Sequence, residues 1–140
     1  MTAAVLTISD SAARGEREDL SGPATAELLR QKGFAVKEQR IVADEQPTIE
    51  AALVELAGLV RVVVTTGGTG VAERDVTPEA TRAVCSRLIE GIPEMIRAAG
   101  LAKTRYAVLS RGVCGVRGTA LILNLPGNPC LLYTSDAADE

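Results

Sequence analysis

The chain has 140 residues, which suits one domain with a modest core. No apolar run reaches the ~20 residues of a membrane-spanning helix, and a net charge of -3 with one Phe, two Tyr and no Trp argues against nucleic acid as a partner. The absence of histidine excludes a Ser-His-Asp triad and the common histidine-containing zinc sites. The cysteines are few and widely spaced, which favours a reducing, cytoplasmic setting.

The first half of the chain alternates between strand and helix patterns. An apolar run over 3–8 predicts a buried parallel strand that ends in a polar loop over 9–19. Ser21-Gly22-Pro23 opens a helix that ends at Gly33, and a second strand is predicted over 34–42.

The same alternation continues in the second half. Pro47 starts a helix with one apolar face, and the β-branched run over 60–65 predicts the most central strand. Four elements follow the loop over 66–76: helices over 77–87 and 93–102, and strands over 106–109 and 120–125 on either side of the glycine-rich segment 110–118.

This order predicts a three-layer αβα fold of the Rossmann-like kind, with a mostly parallel sheet of about five or more strands. We expect one domain over residues 1–129. Residues 130–140 lack amphipathic periodicity and resemble a translated sequencing adapter, so we expect a foreign tail in place of a terminal helix.

Polar or glycine-rich clusters follow most of the predicted strands. Ligands of open α/β sheets bind beyond the carboxyl ends of the strands, so most of these clusters are expected to share one edge. The clusters are Ser9-Asp10-Ser11, Asp44, the segment 67–75, Ser110 and Pro126-Gly127-Asn128.

The segment Thr65-Thr66-Gly67-Gly68-Thr69-Gly70 follows the most apolar strand. Glycines let backbone N–H groups turn toward an anion without obstruction from Cβ, which favours a cradle for a phosphate or a pyranopterin. A tight turn without a ligand is the alternative. The pattern is neither a dinucleotide fingerprint nor a P-loop.

Two aspartates and a serine are the candidates for chemistry. Asp44 and Asp75 each precede a predicted helix, where a carboxylate is favoured even without function. Together at one edge they suit Mg²⁺, which prefers oxygen ligands. Ser110 has no histidine to activate it, so it is either a phosphate-binding hydroxyl or an ordinary strand-end serine. Arg111 and Arg117 flank it and could offset phosphate charge, although both could equally be solvated surface residues.

These segments resemble the molybdopterin adenylyltransferase family, which includes the bacterial MogA and MoaB proteins and the G domain of eukaryotic molybdenum cofactor synthesis fusion proteins. The likeness spans residues 3–129. It is carried by 6–11, 19–23, 42–45, 65–70, 74–81, Ser110-Arg111, 115–119 and 124–129 in this order and spacing.

The resemblance implies that AMP is transferred from Mg-ATP to the terminal phosphate of molybdopterin, with release of pyrophosphate. It implies that Asp44, Asp75 and Ser110 are catalytic and that both aspartates hold the metal. It also implies that the segment Thr66, Gly67, Gly68, Thr69 and Gly70 cradles the substrate. From their place at the shared edge or beside Ser110, we expect a further set of residues to bind substrate: Ser9, Asp10, Ser11, Arg117, Pro126, Gly127 and Asn128.

The resemblance further implies a homotrimer that could work with a molybdate-insertion protein. Two other functions stay open at this point. One is a non-catalytic molybdopterin-binding module, and the other is a nucleotide hydrolase like the competence-damage-inducible proteins. The two aspartates discriminate, because simple anion binding is disfavoured by nearby carboxylates unless a cation bridges them.

Overall fold

The computed structural model describes residues 1–127, which contain one six-stranded sheet in the order β2-β1-β3-β6-β5-β4. The four strands from β2 to β6 in this order are parallel, and β5 and β4 complete the sheet in antiparallel pairing. The strands are β1 (Thr2–Ile8), β2 (Ala35–Val42), β3 (Val62–Thr66), β4 (Arg87–Leu88), β5 (Cys114–Arg117) and β6 (Ala120–Leu125).

The helices connect the parallel strands and cover both faces of the sheet. Pro47 and Pro78 each lie in the first turn of a helix, where the missing N–H is tolerated. The helices are α1 (Asp10–Ala13), α2 (Ser21–Gln31), α3 (Gln46–Ala57), α4 (Thr77–Val84) and α5 (Gly91–Gly100), with a 3-10 helix at Arg105–Leu109. None of these described helices is long and apolar enough to cross a membrane.

The core is divided between the two faces of the sheet, as the pleat of β3 illustrates. Val63 packs into a cluster with Ile49 and Leu53 of α3, whereas Val64 packs into a second cluster with Leu28 of α2. Successive side chains of a strand point to opposite faces. The helices therefore form two layers around the sheet, and the predicted αβα architecture with a mostly parallel sheet is confirmed.

The structure corrects the predicted end of the helix over 77–87. Helix α4 ends at Val84, and Cys85 already has extended backbone angles. The chain beyond it pairs with β5 instead: Ser86 N–H donates to Val116 O at 2.8 Å and Ile89 N–H to Cys114 O at 2.8 Å. These long-range bonds produce β4 and pair it with β5 (Cys114–Arg117), which lies within the predicted glycine-rich segment 110–118.

Two further predictions of local structure were wrong. The polar loop over 9–19 contains the short helix α1, which Ser9 caps by accepting the Ala12 N–H at 3.2 Å. The predicted strand over 106–109 is part of the 3-10 helix, and Ala107 is its only buried residue. An apolar run that no neighbouring strand pairs with has no reason to become extended.

Candidate active site

Four loops meet at the carboxyl edge of the parallel strands, as the sequence predicted. They follow β1, β2, β3 and β6, which lie side by side in the sheet. Ser9 N–H donates to Val42 O at 2.9 Å, and Gly67 N–H donates to Leu125 O at 3.2 Å. These bonds tie the beginning of each loop to the neighbouring strand, so polar residues distant in sequence are held at one edge.

The glycine segment forms a tight turn beyond β3. Gly67 and Gly68 have φ values of +92° and +68°, which disfavour any residue with a Cβ. A Cβ on Gly67 would overlap Ile8 O, and one on Gly68 would overlap Thr77 Oγ1. Thr77 closes the turn, since its hydroxyl donates to Gly67 O at 3.0 Å and its N–H to Gly68 O at 3.1 Å. Both positions therefore require glycine.

Asp10 and Asp44 join the loops after β1 and β2 through a reciprocal pair of hydrogen bonds. Asp10 N–H donates to Asp44 Oδ2, and Asp44 N–H donates to Asp10 Oδ1, both at 2.9 Å. Arg74 donates hydrogen bonds to the Asp10 carboxylate from Nε at 3.0 Å and from Nη2 at 2.8 Å. The Asp44 N–H bond and the Arg74 guanidinium lower the pKa of Asp10 below its ordinary value. Both Asp10 oxygens are thus engaged in holding the edge together.

Asp44 is in a different electrostatic position. Burial raises its pKa above the ordinary value, and the negative charges of Asp10 and Asp75 add to this rise. Its Oδ1 accepts no hydrogen bond from residues 1–127 and lies beside the turn, where a Cβ on Gly68 would be 3.2 Å away. This oxygen is free to accept a cation or a donor from a ligand.

Asp75 lies beside Gly70 of the same turn. Its Oδ2 accepts the Ala72 N–H at 3.0 Å, and a Cβ on Gly70 would lie 2.8 Å from this oxygen. No residue of the described chain donates to Oδ1. The two aspartates predicted to act together therefore border one glycine turn, Asp44 beside Gly68 and Asp75 beside Gly70.

Asp44 and Asp75 suit a hydrated Mg²⁺ ion better than a metal ion that is fully enclosed by protein ligands. Residues 1–127 contain no group of three or more Asp, Glu, Cys or His side chains arranged to hold a metal. Mg²⁺ typically uses only one or two carboxylates, keeps several waters and takes substrate phosphates as further ligands. Asp44 and Asp75 could supply the two carboxylates.

Ser110 also lies near this edge, although it follows a 3-10 helix and not a strand. Its Oγ is 3.5 Å from the Gly112 N–H, and its carbonyl accepts Arg97 Nη1 at 3.4 Å. The serine lines a cavity of about 520 Å³ between the start of β5 and α5. The next residue, Arg111, donates its N–H to Thr69 O at 2.7 Å and so joins this segment to the glycine turn.

A second cavity of about 550 Å³ lies on the α2 side of the turn and contains several of the predicted substrate-binding residues. Ser9, Thr66, Gly67 and Gly127 line it. Thr66 Oγ1 lies 3.0 Å from Ser21 Oγ, and Asp19 accepts the Gly22 N–H at 3.0 Å at the start of α2. The structural use of Asp19, which also accepts the Thr7 hydroxyl at 2.8 Å, was not predicted from the sequence.

Not every predicted substrate-binding residue reaches the turn. Arg117 pairs with Ala120 at the amino end of β6, the edge opposite the glycines, and donates to Val84 O at 2.8 Å. Ser11 contacts Ser9 through their hydroxyls at 3.3 Å, and Pro126 leads into Gly127, where a Cβ would lie 3.3 Å from Gly67 Cα. Asn128 and the predicted tail over 130–140 lie outside the described residues.

An open αβα sheet with a glycine turn and an acidic pair beyond its parallel strands defines an α/β protein of the class whose members bind ligands at the carboxyl edge of the sheet. The comparisons with known proteins identify the family. The chain belongs to the family described as "Probable molybdopterin binding domain", whose profile matches residues 4–135.

Proteins from bacteria and from an animal are similar to this chain. The molybdopterin adenylyltransferase of Helicobacter pylori is 45% identical over 129 residues, which cover 89% of this chain and 73% of that protein. The molybdenum cofactor synthesis protein cinnamon of Drosophila melanogaster is 42% identical over 132 residues, covering 91% of this chain and 22% of that protein.

A solved structure is similar to this chain in fold and in sequence. The molybdopterin biosynthesis enzyme MoaB from Thermus thermophilus superimposes with a TM-score of 0.91 at 45% identity, covering 98% of this chain and 87% of that one.

Proposed function

We propose that this protein is a molybdopterin adenylyltransferase. An oxygen of the terminal phosphate of molybdopterin attacks Pα of ATP, the bond between Pα and the bridging oxygen to Pβ breaks, and pyrophosphate leaves. Adenylylated molybdopterin is the product. The observation that carries the proposal is the acidic pair Asp44 and Asp75 at the two ends of one glycine turn, in a chain that is 45% identical to a molybdopterin adenylyltransferase.

The chain's own groups would act by binding and orientation. Backbone N–H groups of Gly68, Thr69 and Gly70 would face the phosphates, since the Gly67 N–H is already bonded to Leu125 O and the positive φ of Gly67 and Gly68 leaves the backbone accessible. The Ser110 hydroxyl would donate a hydrogen bond to a phosphate oxygen. Phosphoryl transfer needs little covalent chemistry from a protein, so positioning and charge compensation suffice. A chain without histidine is suited to such a reaction.

Asp44 and Asp75 would hold Mg²⁺ directly or through water. When bound, Mg²⁺ would offset the phosphate charges and favour attack at Pα. The unused oxygens Asp44 Oδ1 and Asp75 Oδ1 support this assignment, and the negative charges of Asp10 and Asp75 near Asp44 favour a cation beside that carboxylate. A homotrimer and contact with a molybdate-insertion protein stay predictions of the resemblance, and a cytoplasmic setting stays a prediction from the few, widely spaced cysteines.

The test is pyrophosphate release from ATP in the presence of molybdopterin and Mg²⁺. We expect the wild-type protein to be active and Asp75→Asn to lose about 100-fold or more in kcat, the order expected when a group that stabilises transition-state charge is removed. Binding of molybdopterin, measured by pterin fluorescence, should persist in the variant. Glu73→Gln is the matched control, because this exposed carboxylate lies two positions earlier and should not alter the rate.

The outcomes separate the alternatives. Binding of molybdopterin without pyrophosphate release would make the protein a carrier, whereas release of phosphate from nucleotides without molybdopterin would make it a hydrolase. Full activity of Asp75→Asn would remove Asp75 from the mechanism.

A further inference from the structure

Arg111 bonds to the functional edge through its guanidinium. Its Nε donates to Gly70 O at 2.8 Å and its Nη2 to Asp75 O at 2.6 Å. Nη1 donates to Glu79 Oε2 at 2.7 Å, and Glu79 raises the pKa of the guanidinium above its ordinary value. An arginine has five N–H donors in a rigid fork. Most of them are used within the protein, so offsetting substrate charge is not the main task of this side chain.

The segment 67–76, which Arg111 holds, has few other bonds to the rest of the protein: the ion pair of Arg74 with Asp10, the bond of Gly67 N–H to Leu125 O and the bonds of Thr77. Between Gly67 and Val76 the chain forms no helix or strand. Thr77 fixes its base, and one local turn joins Ala72 and Asp75. Arg111 alone bridges the carbonyls of Gly70 and Asp75 from outside the loop, among the residues that the structure describes.

The bridge fixes the very pair of residues whose spacing matters. Asp75 Oδ2 lies directly against Gly70, so moving either carbonyl moves the carboxylate relative to the turn. The backbone N–H of Arg111 adds a bond to Thr69 O at 2.7 Å, and Glu79 anchors the guanidinium to α4. One residue thus connects the glycine turn, the acidic segment and the helix that follows it.

We propose that Arg111 is a positioning residue for the adenylyl transfer, which sets the place of Asp75 against the glycine turn through its bonds to the Gly70 and Asp75 carbonyls. The proposal rests on the proposed function. A lysine retains the positive charge but presents a single point charge, and it cannot meet three acceptors in a plane as the guanidinium does.

The test compares Arg111→Lys and Arg111→Met with the wild-type protein. Both variants should lose about 10- to 100-fold in kcat, the order expected for a misplacement near 1 Å, with KM for ATP changed by less than about threefold. If Arg111 instead binds substrate phosphate, Arg111→Lys should restore activity and Arg111→Met should mainly raise KM. That result would overturn the proposal.

Amide hydrogen exchange gives a readout that is independent of turnover. Peptides covering 67–76 should exchange faster in Arg111→Lys, and unchanged exchange would count against the positioning role even if Arg111→Met fails to fold. Arg40→Lys is the matched control, because Arg40 makes a comparable fork with Glu38 and Glu55 outside the turn. Its kcat and the exchange of 67–76 should match the wild type. An inactive wild-type protein would refute the proposed function itself. The assay of the wild type alone therefore separates failure of the proposed function from failure of the role of Arg111.

Discussion

The glycine turn makes a quantitative prediction at Gly68. Replacing Gly68 by alanine forces a Cβ onto Thr77 Oγ1, which is fully buried and bonded to Gly67 O. The left-handed backbone costs about 1–2 kcal/mol with a Cβ. Displacing the buried hydroxyl from its acceptor costs about 1–3 kcal/mol more. Gly68→Ala should therefore destabilise the fold by about 2–5 kcal/mol.

Gly118→Ala is the matched control, because Gly118 has a similar φ of +58° but open space around its Cβ position. It should lose only the backbone contribution of about 1–2 kcal/mol. The extra loss at Gly68 corresponds to roughly 4–12 °C in Tm for a domain of this size. Far-UV circular dichroism during heating and in urea measures both variants. Equal destabilisation at the two glycines would refute the reasoning, since the contact with Thr77 would then carry no weight.

Two further predictions concern Asp44 and Asn124. Because its pKa is raised in the folded state, ionised Asp44 opposes folding above that pKa, so Asp44→Asn should be more stable than wild type at neutral pH. This advantage should shrink as the pH falls toward the ordinary aspartate value, and Mg²⁺ should raise the Tm of the wild type but not of Asp44→Asn, as differential scanning fluorimetry can measure. Asn124 is buried, accepts the Val113 N–H at 3.1 Å and donates to Thr65 and Thr81, both at 3.0 Å. Asn124→Ala should lower the free energy of unfolding by about 2–4 kcal/mol in urea titrations, and a loss below about 1 kcal/mol would contradict the assigned network.

Local sequence patterns predicted those elements whose own residue types favour the structure that they adopt. β3 consists only of the β-branched residues Val and Thr, which predict a strand without knowledge of its neighbours. The structure buries it along nearly its whole length, as expected of a central strand. β4 has no such pattern, since Arg87 and Leu88 are both exposed and extended only because they pair with Val116 and Gly115. Pairing across the edge of a sheet depends on distant residues, which a local pattern does not contain.

The same distinction applies to the site. Strand order brings Asp44 and Asp75 to one edge, so their meeting could be predicted from the alternation of strands and helices. The task of Arg111 could not, because its acceptors, Gly70 O and Asp75 O, are 41 and 36 positions away. Arg117 was predicted at the site because it flanks Ser110 in the sequence, but the hairpin of β5 and β6 carries it to the opposite edge of the sheet.

The charges around the turn explain why a cation belongs to the proposed reaction. Three carboxylates lie near one another, but Arg74 and the Asp44 N–H already satisfy Asp10, whose pKa is lowered. The charge of Arg111 is likewise matched by Glu79. Asp44 and Asp75 each accept a single N–H and form no ion pair within residues 1–127, so neither carboxylate is matched by a cation of the protein. Two like unit charges about 4 Å apart, such as a carboxylate and a phosphate, repel by about 4 kcal/mol near a protein surface. A polyphosphate alone would therefore be repelled by the carboxylates, although the backbone N–H groups of the turn offer it hydrogen bonds. A divalent ion held by the carboxylates would offset this repulsion, and in that way acidic residues would serve a site for anions.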